Sequence, residues 1–262
     1  MTPSLPGQEH ADILRTPVAI LVGHFGSGKT EIAVNLAFRL RARGERVTLI
    51  DLDVVKPYFR SRGTIEDLEA QGIDLVAPRG EFAHADLPIV VPEVRAAIGR
   101  AAAGHGRVIV DVGGADVGAR VLGSIPGLND PALTDVLFVV NGRRPFAETP
   151  HAIEQMMREI ERVAKIRVNG LVANTHLMQE TTADIVREGL RLAEDVGRAT
   201  ALPVRFCVVR TDLLDAVRAS LEAGGQGHGL PPGTPPLLSI DRHIMLPFDF
   251  RRPGSRRRSS IL

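Results

Sequence analysis

The run Gly23-His24-Phe25-Gly26-Ser27-Gly28-Lys29-Thr30 has the spacing G-x-x-x-x-G-K-[ST], and each fixed position has a chemical reason. Gly26 and Gly28 let the backbone turn without Cβ clashes, so that successive N–H groups point inward. A helix opening at Lys29 adds the positive end of its dipole to that cradle, and phosphate is the anion that fits. Lys29 would reach the β- and γ-phosphates of a nucleotide, and the Thr30 hydroxyl would ligate Mg²⁺, which prefers hard oxygen ligands. Gly23, Gly26, Ser27, Gly28, Lys29, Thr30 and Glu31 are therefore the expected nucleotide-binding residues at this point. The chain has only three lysines, Lys29, Lys56 and Lys165, so the match is no by-product of a lysine-rich composition.

A second group of polar residues follows apolar, strand-like runs. Asp51 and Asp53 follow Val47 to Ile50; Asp111, Gly113 and Gly114 follow Arg107 to Val110; Asn141, Asn174 and Arg210 to Asp212 each end a further run. An Asp at the tip of the Arg107 strand can hold Mg²⁺ through water, and a Gly just beyond it can bring a backbone N–H to the γ-phosphate. Asp51 and Asp53 stand to face the metal and γ-phosphate from the other side.

The elements that must position these residues alternate between strand and helix. Val18 to Val22 is a continuous apolar strand, and a helix over Lys29 to Arg43 carries Ile32, Ala33, Leu36, Ala37 and Leu40 before Gly44 stops it. Thr64 to Asp67 reads as a capping box opening a short helix closed by Gly72, followed by a strand over Asp74 to Ala77. Helices are predicted over Val91 to Ala103, Thr149 to Ala164 and Thr181 to Val196, with strands over Val136 to Val140, Val168 to Ala173 and Val204 to Val209. This is the pattern of an α/β fold with a doubly wound, mainly parallel sheet and helices on both faces, in which ligands gather at the carboxyl ends of the strands.

Composition limits the alternatives. The 262 residues with 44% hydrophobic content suit one open α/β domain, and a formal charge of +1 gives no electrostatic sign of nucleic acid or membrane. Residues 1–15 read as an N-terminal extension without signal-peptide character, 16–250 as the nucleotide-binding domain, and 251–262 as a basic, disordered tail; a cytoplasmic protein is expected. Five arginines in that tail fit a solvated segment, or one that holds anionic polymers. Cys207, the single cysteine, excludes an intrachain disulfide or Cys pair, leaving a buried strand residue or a ligand shared between subunits. No two of the eight histidines stand three or four apart, so a helical metal pair is absent.

Over residues 16 to 250 the chain resembles the MinD/ParA and CobQ/CobB branch of P-loop NTPases, on the phosphate loop, Asp51-Leu52-Asp53, the Asp111 strand and Val208 to Ser220. The resemblance implies the P-loop NTPase fold. It implies that Asp53 orients or activates the attacking water, that Asp51 and Asp111 support Mg²⁺ with Thr30, and that Lys29 and Asp53 are the catalytic pair. Gly114 would sense the γ-phosphate, while Asn174 and Asp212 would border the base, with Arg210 where proline is usual. Leu177 stands where a guanine-reading N-K-x-D motif has Asp; without that carboxylate, ATP is expected over GTP. His24 occupies the position of the branch's signature lysine, which reaches the partner's nucleotide across a dimer. Arg60, Arg62 and Arg120 are then candidate fingers or plain surface residues.

The resulting expectation is a Mg²⁺-dependent ATPase that switches its loops to regulate or assemble an unknown partner protein, with an ATP-dependent homodimer as a further implication. An ATP-dependent phosphotransferase and a non-hydrolysing nucleotide sensor are the alternatives. Tyr58 and Phe59, and the segment Asn141 to Phe146, fit either partner docking or packing under their loops.

Overall fold

A computed structural model of the chain describes residues 13–52, 62–77, 83–113, 117–223 and 230–244. Asp53, Gly114, Tyr58, Phe59 and Arg60 lie outside the described residues, as do the tail and most of the N-terminal extension. The elements run β1 (Val18–Val22), α1 (Lys29–Ala42), β2 (Val47–Asp51), α2 (Arg62–Ala70), β3 (Asp74–Val76), α3 (Ala83–Ala102), β4 (Arg107–Asp111) and α4 (Val117–Leu122). They continue with β5 (Thr134–Val140), α5 (Pro150–Ala164), β6 (Gly170–Ala173), α6 (Ala183–Thr200), β7 (Val204–Arg210), α7 (Leu214–Glu222) and β8 (Leu237–Ile240).

The strands form one eight-stranded sheet in the order β3-β2-β4-β1-β5-β6-β7-β8. Every pairing is parallel. Parallel strands need crossovers, and here helices supply them on both faces. Alternate residues of one strand therefore enter different cores. Val18, Ile20 and Val22 pack with α3, α5 and α6 residues such as Ile98, Ile153 and Leu190. Ala19 and Leu21 pack on the opposite side with Ile32, Leu36 and Leu40 of α1. Burial on both faces explains the unbroken apolar runs, each large side chain contributing about 1.5–3 kcal/mol. Ile13 and Leu14, at the end of the N-terminal extension, are also buried against the α1 side.

β1 lies between β4 and β5, and the chain leaves it first toward β2 and later toward β5. The order of strands reverses there, which opens a crevice at its carboxyl end. The segment after β1 is the phosphate loop.

Several boundaries differ from sequence expectation. α2 starts at Arg62, so Thr64 is a buried residue inside the first turns and not the cap. α3 begins at Ala83 and runs through Pro88 and Pro92, with Val94, Ala97, Ile98 and Ala101 buried. Packing of that apolar face outweighs the hydrogen bonds the prolines remove. α4 and β8 were not read from the sequence: one has six residues and the other four, too short for a period to show. α5 and α6 follow expectation closely. Thr149 Oγ1 accepts from the Ala152 N–H and Thr182 Oγ1 from the Ile185 N–H, satisfying first-turn donors.

Candidate nucleotide-binding site

The phosphate loop is a tight arch from β1 into α1. Its turn is closed by the Ser27 N–H donating to the His24 carbonyl at 3.1 Å. Gly28 caps α1 with φ 91°, and a Cβ there would collide with the Asn174 amide nitrogen. Only glycine fits both the backbone angle and the space. No side chain caps α1. Its first N–H groups are thus directed at the crevice, together with the positive end of the helix.

Lys29 is buried, and its Nζ donates to the Gly23 carbonyl at 3.1 Å and the His24 carbonyl at 3.0 Å. These bonds wrap the side chain around the inside of the arch. Thr30 Oγ1 donates to Asp111 Oδ2 at 2.5 Å. Asp111 is fully buried at the end of β4, and the β2–β4 register sets Asp51 directly beside it. Thr30, Asp51 and Asp111 are thereby brought to one corner, and their oxygens are the hard donors that Mg²⁺ takes. Among the described residues no three His, Cys, Asp or Glu side chains cluster as a metal cage.

On the other flank, the tips of β5 to β8 enclose a cavity of about 550 Å³ that opens onto Gly26, Gly28, Lys29 and Thr30. That size suits a small-molecule ligand. Asn174 Nδ2 donates to the Ser27 carbonyl at 2.7 Å, so this residue braces the loop from the cavity side. Asp212 also lines the cavity, held in a fork by Arg210 through Nε–Oδ1 at 3.0 Å and Nη2–Oδ2 at 2.5 Å. Arg210 Nη1 donates to the Met178 carbonyl, which ties β7 to the 3-10 turn Met178–Glu180. Leu177 is exposed and forms no part of the cavity wall.

Glu31, expected among the nucleotide-binding residues, lines the cavity and also holds a segment that has little sequence signal. Glu31 faces the segment after β8: its Oε1 accepts from the His243 N–H at 2.5 Å and its Oε2 from the Ile244 N–H at 3.2 Å. Burial raises the Glu31 pKa, with the two amide bonds acting in the opposite sense. Asn35, one turn on, donates to the Asp241 carbonyl and accepts its N–H, so α1 pairs with this segment as a strand would. Ile240 to Arg242 and Ile244 are thus held as a cavity wall. His176 lines the same cavity, and burial, followed by the nearby Arg144 charge, lowers its pKa to about 4. The imidazole is neutral at physiological pH.

Among the described residues, buried polar atoms without a hydrogen-bond partner include Ser27 Oγ, Asn141 Nδ2 and Arg144 Nε. All three lie in the phosphate loop or the adjoining β5 tip, and of them Arg144 lines the cavity, where a polar ligand would complete it. Phe146 is 80% exposed at φ 63°, so it does not pack beneath its loop. Arg120 is exposed on α4. Cys207 is buried in β7 with its thiol pushed up to about 12 by burial, which makes it a core residue out of a partner's reach.

Residues 18–195 match the CobQ/CobB/MinD/ParA nucleotide binding domain. The chain belongs to this family. Among curated proteins no match is found. Solved structures similar to this family member include chloroplast FtsY from Physcomitrella patens, at 20% identity and a TM-score of 0.47 over 74% of this chain and 58% of that one. The signal recognition particle receptor FtsY from Elizabethkingia anophelis gives 18%, 0.49, 76% and 62%. The signal recognition particle 54 kDa protein from Aeropyrum pernix in complex with GDP gives 20%, 0.47, 76% and 43%. The chain spans less than two thirds of the length of each, and its family membership rests on the 18–195 match. Among the described residues no helix is long and apolar enough to cross a membrane.

Proposed function

We propose that this CobQ/CobB/MinD/ParA family member is a cytoplasmic Mg²⁺-dependent ATPase that acts as a nucleotide switch on a partner protein. The observation that carries the reading is the 2.5 Å bond from Thr30 to Asp111 beside the uncapped start of α1. It joins a phosphate cradle to an oxygen-ligand corner. Thr30 and Asp111 would hold Mg²⁺, with Asp51 supporting them, and the bound ion would neutralise phosphate charge. Lys29 would turn from its loop carbonyls to the β- and γ-phosphates. Asp53 would orient the attacking water and Gly114 would follow the γ-phosphate. ATP over GTP is supported by Leu177, which supplies no carboxylate and lies outside the cavity wall.

Solution mass by light scattering with Mg²⁺-ADP and Mg²⁺-ATP tests the switch, using Asp53→Ala to preserve the ATP state. A mass that doubles only with ATP is expected from a switch that pairs two copies. Unchanged mass in both states, with binding confirmed, contradicts ATP-dependent pairing and turns the search to an acceptor substrate.

A further inference from the structure

The turn after β5 carries two arginines with different surroundings. Arg143 points outward and pairs with Glu188 at 2.5 Å. Arg144 lies against the phosphate loop: a Cβ on Gly26 would stand 3.3 Å from both its Cζ and its Nε. It lines the same cavity as Lys29 and Thr30. Among the described residues Arg144 forms no ion pair, and its buried Nε has no hydrogen-bond partner. The backbone is fixed on both sides, since the Arg144 N–H donates to the Asn141 carbonyl at 3.2 Å and the Ala147 N–H to the Arg144 carbonyl at 3.1 Å. The Gly142 N–H, donating to Thr175 Oγ1 at 3.0 Å, anchors the turn to the β6 side.

Arg144 is half-buried, and a guanidinium nitrogen drawn from water without a partner is costly, while the planar fork matches phosphate oxygens. We propose that Arg144 is a phosphate-binding residue of this site, holding the β- and γ-phosphate oxygens from within the same chain. It stands on the flank of the loop opposite Asp111, so a polyphosphate would lie between the metal corner and this cation. The proposal rests on the ATPase reading. In that reaction the water oxygen bonds to the γ-phosphorus and the bond from that phosphorus to the bridging oxygen breaks. The electron pair leaves on ADP and a proton passes to solvent. Arg144 offsets charge that grows on the phosphate oxygens along this path.

Calorimetric titration of the full chain with Mg²⁺ and AMP, ADP or ATP tests the proposal, with Arg144→Ala and Arg144→Lys beside the unaltered protein and thermal melts of all three. Arg144→Ala is expected to weaken ADP and ATP about ten- to hundredfold and AMP about twofold or less, with Arg144→Lys recovering part of the loss. Binding of AMP, ADP and ATP by Arg144→Ala with the affinities of the unaltered protein overturns the Arg144 role and leaves the ATPase reading standing. A uniform loss with a lower Tm shows a structural role and also overturns it. An unaltered protein that binds none of the three contradicts the ATPase reading itself and the proposal with it.

Discussion

The two ends of the sheet treat buried polar groups differently. At the amino ends of the strands, Asp135 of β5 is buried and fully engaged: Oδ2 accepts from the Arg15 N–H at 2.8 Å and the Thr16 N–H at 3.3 Å, and Oδ1 stands 2.8 Å from buried Arg205 in an ion pair. At the carboxyl ends, Ser27 Oγ, Asn141 Nδ2 and Arg144 Nε are buried without partners among the described residues, and Arg144 lines the cavity there. The lower end has buried atoms without a hydrogen bond too, Thr134 Oγ1 and Arg205 Nη2, but there Nη2 is held against the Asp135 carboxylate as an ion pair. An unmade hydrogen bond at a buried group costs about 1–3 kcal/mol, so the upper end is built to be completed by something outside the chain. The lower end is built to hold the sheet and to tie in the segment before β1.

This contrast requires that variants at the two ends fail in different ways. Asp135→Ala strands the Arg205 guanidinium, and urea denaturation is expected to show a loss of about 3–5 kcal/mol. Nucleotide affinity of the molecules that remain folded should be unchanged. Asp111→Asn is expected to do the reverse: turnover should fall about 100-fold in an ATPase assay while ATP binding persists, because the ligand charge at the metal corner is lost.

His176 gives a pH-dependent version of the same test. Its folded pKa, about 4, lies below the unfolded value near 6.5, so between those pH values the unfolded chain binds the extra proton. Stability from this group is present above about pH 6.5 and is lost as pH falls through that window. Between pH 7 and pH 5 the native protein should lose about 2 kcal/mol more stability than His176→Gln, measured by urea midpoints at each pH. Equal losses in both would show that the imidazole does not stay neutral in its cavity. The smallest expected effect lies outside the cavity lining, where Thr149→Ala removes the α5 cap and should cost about 1 kcal/mol in the same assay.

The fold and the phosphate loop were legible because their signals are local. Five buried residues of β1, the glycines of the arch and the apolar stripe of α1 are contiguous in the chain. Asp111 was legible by the rule that strand tips carry the chemistry. The rest of the site depends on neighbours that only the sheet order supplies. Arg144 matters because β5 lies beside β1, which no spacing within Asn141 to Phe146 discloses. Glu31 reaches His243 across 212 positions and Asn35 reaches Asp241 across 206, and β8, which sets up both, has four residues and no readable period. The α2 start was misplaced because a cap signal acts on a single turn, whereas burial acts on the whole helix.

The most direct test of the central claim is calorimetric titration of Mg²⁺-ATP into the native protein and into Lys29→Ala. One ATP bound per chain, with affinity falling on the order of 100-fold in Lys29→Ala, is the predicted result. Equal affinity in the two proteins would mean that the arch between β1 and α1 is not where the nucleotide binds, and would contradict the account.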